Sequence, residues 1–171
     1  TGEADCRAVA EAFAAERSPV GKRELARVLG EMEGEIVRDA LLAGLSSPEA
    51  RVRSACMASL RDLPRDAKIA AAARAIVEKD DPSYDTANAA AQALQMHDPD
   101  NALPALLRVL ERPSERETLR STALRSIARL DDPNALEVLL SWTAEERPAE
   151  CREAALRGLG GYASRLAHHP G

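Results

Sequence analysis

The chain has 171 residues and a net charge of −5, with 28 acidic against 23 basic side chains. That length supports one domain with a sizeable core. The negative balance argues against a dedicated nucleic-acid binder, whose affinity depends on neutralising phosphates. There are 34 alanines, but 12 valines plus isoleucines and four aromatics: Phe13, Tyr84, Trp142 and Tyr162. Strands favour β-branched and aromatic side chains, so the composition points to an all-α fold. No apolar run approaches the roughly 18 residues of a membrane span, and there is no signal-peptide pattern. Of the basic residues 20 are Arg and three are Lys, a skew read as genomic GC bias. Cys6, Cys56 and Cys151 have no paired spacing. Cys56 and Cys151 fall in apolar helical stretches, which reads as small core hydrophobes in a reducing, cytoplasmic setting.

The first predicted element is a helix over about Ala4 to Ala15, read as the second half of a truncated unit. The chain opens at Thr1, inside what already reads as helix, so it is expected to be a single repeat domain (1–171) from the C-terminal part of a longer chain. Five similar segments follow: KRELARVLG from Lys22, RSACMASLR from Arg53, ANAAAQALQ from Ala87, RSTALRSIA from Arg120 and REAALRGLG from Arg152. Their anchors Leu29, Leu60, Leu94, Ile127 and Leu159 recur every 31 to 34 residues. Four positions before them stand Leu25, Cys56, Ala90, Ala123 and Ala155, which with the anchors make one buried helical stripe.

Each copy is led by a proline: Ser18-Pro19, Ser47-Pro48, Asp81-Pro82, Arg112-Pro113 and Arg147-Pro148. Proline suits a first helical turn, where its missing amide has no intrahelical partner, and Ser or Asp before it caps the free amides. Ser114 and Glu117 have capping-box spacing. Between copies lie second apolar-periodic segments at Ile36–Leu45, Ile69–Val77, Leu103–Leu110 and Leu136–Thr143. Asp98-Pro99 and Asp132-Pro133 lead the last two. The prediction is about ten helices stacked as a short, curved α-solenoid of about five antiparallel pairs, since one pair cannot bury both of its faces.

The chemistry-bearing residues are few. His97 is expected in a solvated turn, and His168 and His169 in a fraying tail. There is no His-Glu-x-x-His, no Cys-x-x-Cys and no Gly-x-Ser-x-Gly, so no catalytic, cofactor or metal-ligating residue is assigned. Gly158, Gly160 and Gly161 have no preceding strand, which favours helix-end or close-packing roles over phosphate binding. Lys22, Arg53, Arg120 and Arg152 recur seven positions before their anchors, interrupted at Ala87. They are read as a structural ladder bonding to acids or helix-end carbonyls, in preference to an anion-reading stripe. Trp142 is the candidate partner-surface residue, with packing against the following repeat as the favoured alternative.

The Pro-led helix, the basic position and the Ala-x-x-x-Leu stripe resemble HEAT and HEAT-like repeats. From Asp80 to Ala163 the chain also resembles the C-terminal helical-repeat region of aminopeptidase-N-type zinc metallopeptidases. Asp81, Pro82, Ser83, Tyr84, Pro113, Ser114, Arg120, Ala123, Asp132–Leu136, Arg147-Pro148 and Arg152–Ala155 carry that likeness. It implies a parent chain with a zinc-binding catalytic domain. The repeats would cover its cleft, restrict peptide access and take that domain or another protein as partner. The family's zinc and substrate motifs are absent from these residues, so no catalytic residue carries over. The alternative is a free-standing HEAT scaffold for protein binding. A HEAT-like DNA-repair enzyme needs a basic, aromatic-lined groove that this acidic, aromatic-poor chain lacks. A bilin-lyase-type repeat protein is a more distant likeness.

Overall fold

A computed structural model describes residues 2–168, with side chains described through residue 164. Ten helices follow in order: α1 (Glu3–Ala15), α2 (Pro19–Gly30), α3 (Glu35–Gly44), α4 (Ala50–Arg61), α5 (Ala67–Glu78), α6 (Tyr84–His97), α7 (Leu103–Leu110), α8 (Thr118–Ile127), α9 (Pro133–Ser141) and α10 (Ala149–His168). Among the described residues there is no strand. The solenoid expected from the repeat pattern is the fold.

The phase of the units differs from the sequence reading. Helices α4, α6 and α8 pack far more closely on the helix before them than on the one after, and α2 does so less markedly, giving the pairs α1–α2, α3–α4, α5–α6, α7–α8 and α9–α10. Helix α1 packs on both α2 and α3. The even-numbered helices also pack tightly along one another from α2 to α10, whereas the odd-numbered ones touch less. Small residues explain the difference. Helix α6 buries Ala87, Ala89, Ala90, Ala91 and Ala93, which lets α4 and α8 approach from both sides. The even-numbered helices thus form the more tightly packed layer, which we term the inner layer, and the odd-numbered ones the outer layer.

Start signals hold in part. Ser18 and Asp132 are true N-caps with Pro19 and Pro133 at the first helical position. Asp81-Pro82 sits further upstream, and Ser83 caps α6 instead. The capping box at Ser114 and Glu117 does not form. Arg116 and Glu117 take left-handed backbone angles (φ 50° and 52°), so Ser114 Oγ accepts from the more distant Leu119 amide at 2.9 Å.

Leu29, Leu60, Leu94 and Ile127 are fully buried, whereas Leu159 is only half-buried. Gly158 has the close-packing role expected of it. A Cβ there would lie 2.7 Å from the Ala128 Cβ. His168 continues α10, and His169 lies outside the described residues.

Candidate interaction face

The ladder positions all point back into the protein. The Arg53 guanidinium donates to both Asp81 carboxylate oxygens, at 2.8 and 2.9 Å, and to the Ser47 and Pro48 carbonyls at 3.0 and 2.9 Å. Arg120 Nε donates to the Leu110 carbonyl at 2.8 Å, and its Nη1 to Glu117 at 3.0 Å. Arg152 Nε reaches the Thr143 carbonyl at 3.3 Å. Lys22 Nζ lies 5.3 Å from the centre of the Phe13 ring. Arg120 thus meets the last carbonyl of α7, where the helix dipole is negative, while Arg53 and Arg152 meet carbonyls in the turns after α3 and α9. Ala87 breaks the series, and its turn is tied instead by Arg53 from one side and by Arg112, which donates to the Asp81 carbonyl at 2.9 Å, from the other.

Electrostatics at this joint follow from burial and pairing together. Burial alone would raise the Asp81 carboxyl, but Arg53 and the Ser83 amide hold it below its ordinary value of 3.8. The Asp81 hydrogen bond in turn raises Arg53. Burial pushes the Cys56 thiol up to about 12, in keeping with a packing role. All three cysteines are buried and unpaired.

One sequence expectation changes, and for Trp142 the packing alternative is the one that fits. His97 is not a solvated turn residue but 3% exposed, at the end of α6. Its Nδ1 accepts from the Asp66 amide at 3.1 Å, which makes Nε2 the protonated nitrogen. Nε2 then donates toward the Leu60 and Arg61 carbonyls at 3.1 Å each. One imidazole thus closes the end of α4 and the start of α5. Trp142 follows α9 and is 8% exposed. Arg147 lies 4.3 Å and Arg120 5.8 Å from its ring, so most of its apolar surface is covered.

Open depressions lie on both layers: one of about 490 Å³ runs along the outer helix α5 beside Arg65, Arg74 and Glu78, and others lie on the inner layer. A depression of about 580 Å³ runs across α2, α4 and the start of α6, lined by Arg23, Arg27, Arg51, Ser54, Asp62 and Asp85. A second, of about 400 Å³, crosses α4, α6 and α8 beside Arg61, Gln92, Gln95, Met96, Arg125 and Arg129. Glu24 holds Arg23 at 2.6 Å and Arg27 at 3.3 Å. Arg61 pairs with Asp62 at 2.7 Å and donates to the Gln92 side chain at 2.5 Å. Arg51 and Arg129 are exposed, and no described side chain pairs with either guanidinium. The sequence reading passed over these residues. The recurring polar position two before the anchor (Arg27, Gln92, Arg125) was the available signal, about half a turn around the helix from the anchor.

Among the described residues, no group of three His, Cys, Asp or Glu side chains is placed to hold a metal ion. No described helix is long and apolar enough to cross a membrane.

A family model described as HEAT repeats matches residues 70–160, just over half of the chain. No curated protein matches the sequence. Among solved structures, the crystal structure of an engineered protein from the Northeast Structural Genomics Consortium is similar, with a TM-score of 0.61. The likeness covers 94% of this chain and 80% of that one at 19% identity, and so concerns the fold.

Proposed function

The chain belongs to the HEAT-repeat family, and from that we propose that it is a helical-repeat scaffold whose inner layer binds a protein partner. HEAT repeats serve as scaffolds for protein interaction. The observation that carries the choice of face is the pair of open depressions along α2, α4, α6 and α8, with Arg51 and Arg129 unpaired at their edges. Exposed guanidiniums with no internal partner lose no fold contacts on meeting a partner's carboxylates. Three separate buried thiols accord with a reducing, cytoplasmic setting.

The test is a comparison of faces. The triple variant Arg51→Glu, Arg125→Glu, Arg129→Glu should lose a partner that the wild-type chain captures. Charge reversal at Lys68 and Arg108, on the outer helices, should not. Equal capture by both variants would overturn the choice of face.

A narrower reading rests on the resemblance from Asp80 to Ala163. In it the chain is the single repeat domain of a zinc aminopeptidase-like protein, covers a catalytic cleft and filters peptides by size, with zinc held elsewhere in the parent chain. The residues that carry the likeness include the Asp81 and Ser83 start of α6 and the Arg120 and Arg152 bonds, which serve the stack itself. The reading frame upstream of Thr1 should then encode a metallopeptidase domain. Further helical repeats alone would overturn it.

A further inference from the structure

We infer that the partner meets the inner layer as an extended acidic segment, laying an apolar side chain on Met96 and carboxylates on Arg125 and Arg129. The inference rests on the inner-layer reading and narrows it to one depression and one chemistry. The depressions of about 580 and 400 Å³ differ in charge. The larger is balanced: Arg23, Arg27 and Arg51 stand against Glu31, Asp62 and Asp85. The smaller sets Arg61, Arg125 and Arg129 against Asp62 alone, in a chain whose net charge is −5. Asp62 is already engaged, since both of its carboxylate oxygens accept from Arg61 at 2.7 Å. Arg125 donates to the Thr122 hydroxyl at 3.0 Å. Among the described residues neither it nor Arg129, both exposed, has a carboxylate partner. Four residues apart at the end of α8, the two cations repel one another, and a partner's carboxylates relieve that repulsion.

The uncharged groups around these cations are donors as well. Gln92 Oε1 accepts from Arg61, which leaves the Gln92 amide N–H groups to donate. The Thr122 oxygen accepts from Arg125, which leaves its O–H to donate. A lining in which donors outnumber free acceptors suits a ligand that only accepts, as a carboxylate does. None of the lining residues is aromatic, so the bases of a nucleic acid would find no stacking platform. Register sets the order of contacts along the segment. Asp62, Met96 and Arg129 each stand two residues after their anchors, Leu60, Leu94 and Ile127. Helices α4, α6 and α8 pack side by side, so these positions form a row with a spacing of about 8–10 Å. Met96, in the middle of the row, is 50% exposed and offers an adaptable apolar contact. An extended chain advances about 3.3 Å per residue, which puts the carboxylates about three residues from the apolar side chain.

A random peptide library displayed on phage and selected on the immobilised full chain tests this. Enriched sequences should carry neighbouring acidic residues with a large apolar residue about three positions away. A synthetic peptide of that consensus should bind the wild-type chain, with an affinity that falls as salt is added. The double variant Arg125→Gln, Arg129→Gln should keep the wild-type melting temperature and bind the peptide roughly tenfold more weakly or worse. Met96→Ser should weaken the peptide without changing its salt dependence. Replacing the peptide's carboxylates by amides should abolish binding, a readout that needs no variant to fold. A consensus without acidic residues overturns the inference, as does a library that yields no binder or a peptide that binds the double variant as tightly as the wild type. A peptide kept by the double variant but lost on Arg51→Glu overturns it while leaving the inner layer as the binding face. A peptide lost only on charge reversal at Lys68 and Arg108 takes the inner-layer reading down with it.

Discussion

The Arg53 guanidinium grips both carboxylate oxygens of Asp81 across the joint between the second and third pairs, with each side chain below 15% exposed. Asp81 titrates below its ordinary value of 3.8 in the folded chain. Its contribution is therefore fully present above that value and is lost as pH falls through the lower, folded one. Asp81→Asn should cost about 2–3 kcal/mol at neutral pH. It should also flatten the loss of stability expected at acid pH in the wild type. Urea midpoints measured across that range check both; parallel curves for the two proteins would contradict the assignment.

His97→Ala removes one acceptor and one donor from a buried site and opens a cavity beneath the α4–α5 turn. The expected loss is about 2–4 kcal/mol, read as a lower urea midpoint. A midpoint equal to wild type would mean that water replaces the imidazole without loss.

Arg120 joins Leu110, Glu117 and the Trp142 ring. Arg120→Ala should lower stability by about 1–3 kcal/mol. An unchanged melting temperature combined with loss of a partner would make the ladder a recognition surface instead.

Arg116 is exposed with φ 50°, a conformation that disfavours side chains with a Cβ. Arg116→Gly should therefore raise stability by about 0.5–1 kcal/mol. Glu117→Gly relieves the same strain but forfeits the bond to Arg120, so it should lower stability. Thermal melts of the two variants should move in opposite directions.

Read alone, the sequence determined the class of fold and the buried stripe of α2, α4, α6 and α8. Those follow from alanine content and from the spacing of Leu29, Leu60, Leu94 and Ile127, both local properties of a helix. The caps at Ser18 and Asp132 were legible for the same reason. Only the tertiary structure decided which helices pair, because α5 is equally near in sequence to α4 and α6 and contact area alone chooses between them. It also decided that His97 is a buried bridge. Two of the helix-end carbonyls and the amide that satisfy it come from 31 to 37 residues away. The open face escaped the sequence for a related reason: Arg53 and Arg51 lie two residues apart, yet one is enclosed by the next pair and the other faces solvent. Side-chain type says that both are charged; the roughly 200° between them around α4, and the pair packed against one side of it, decide which one is left free.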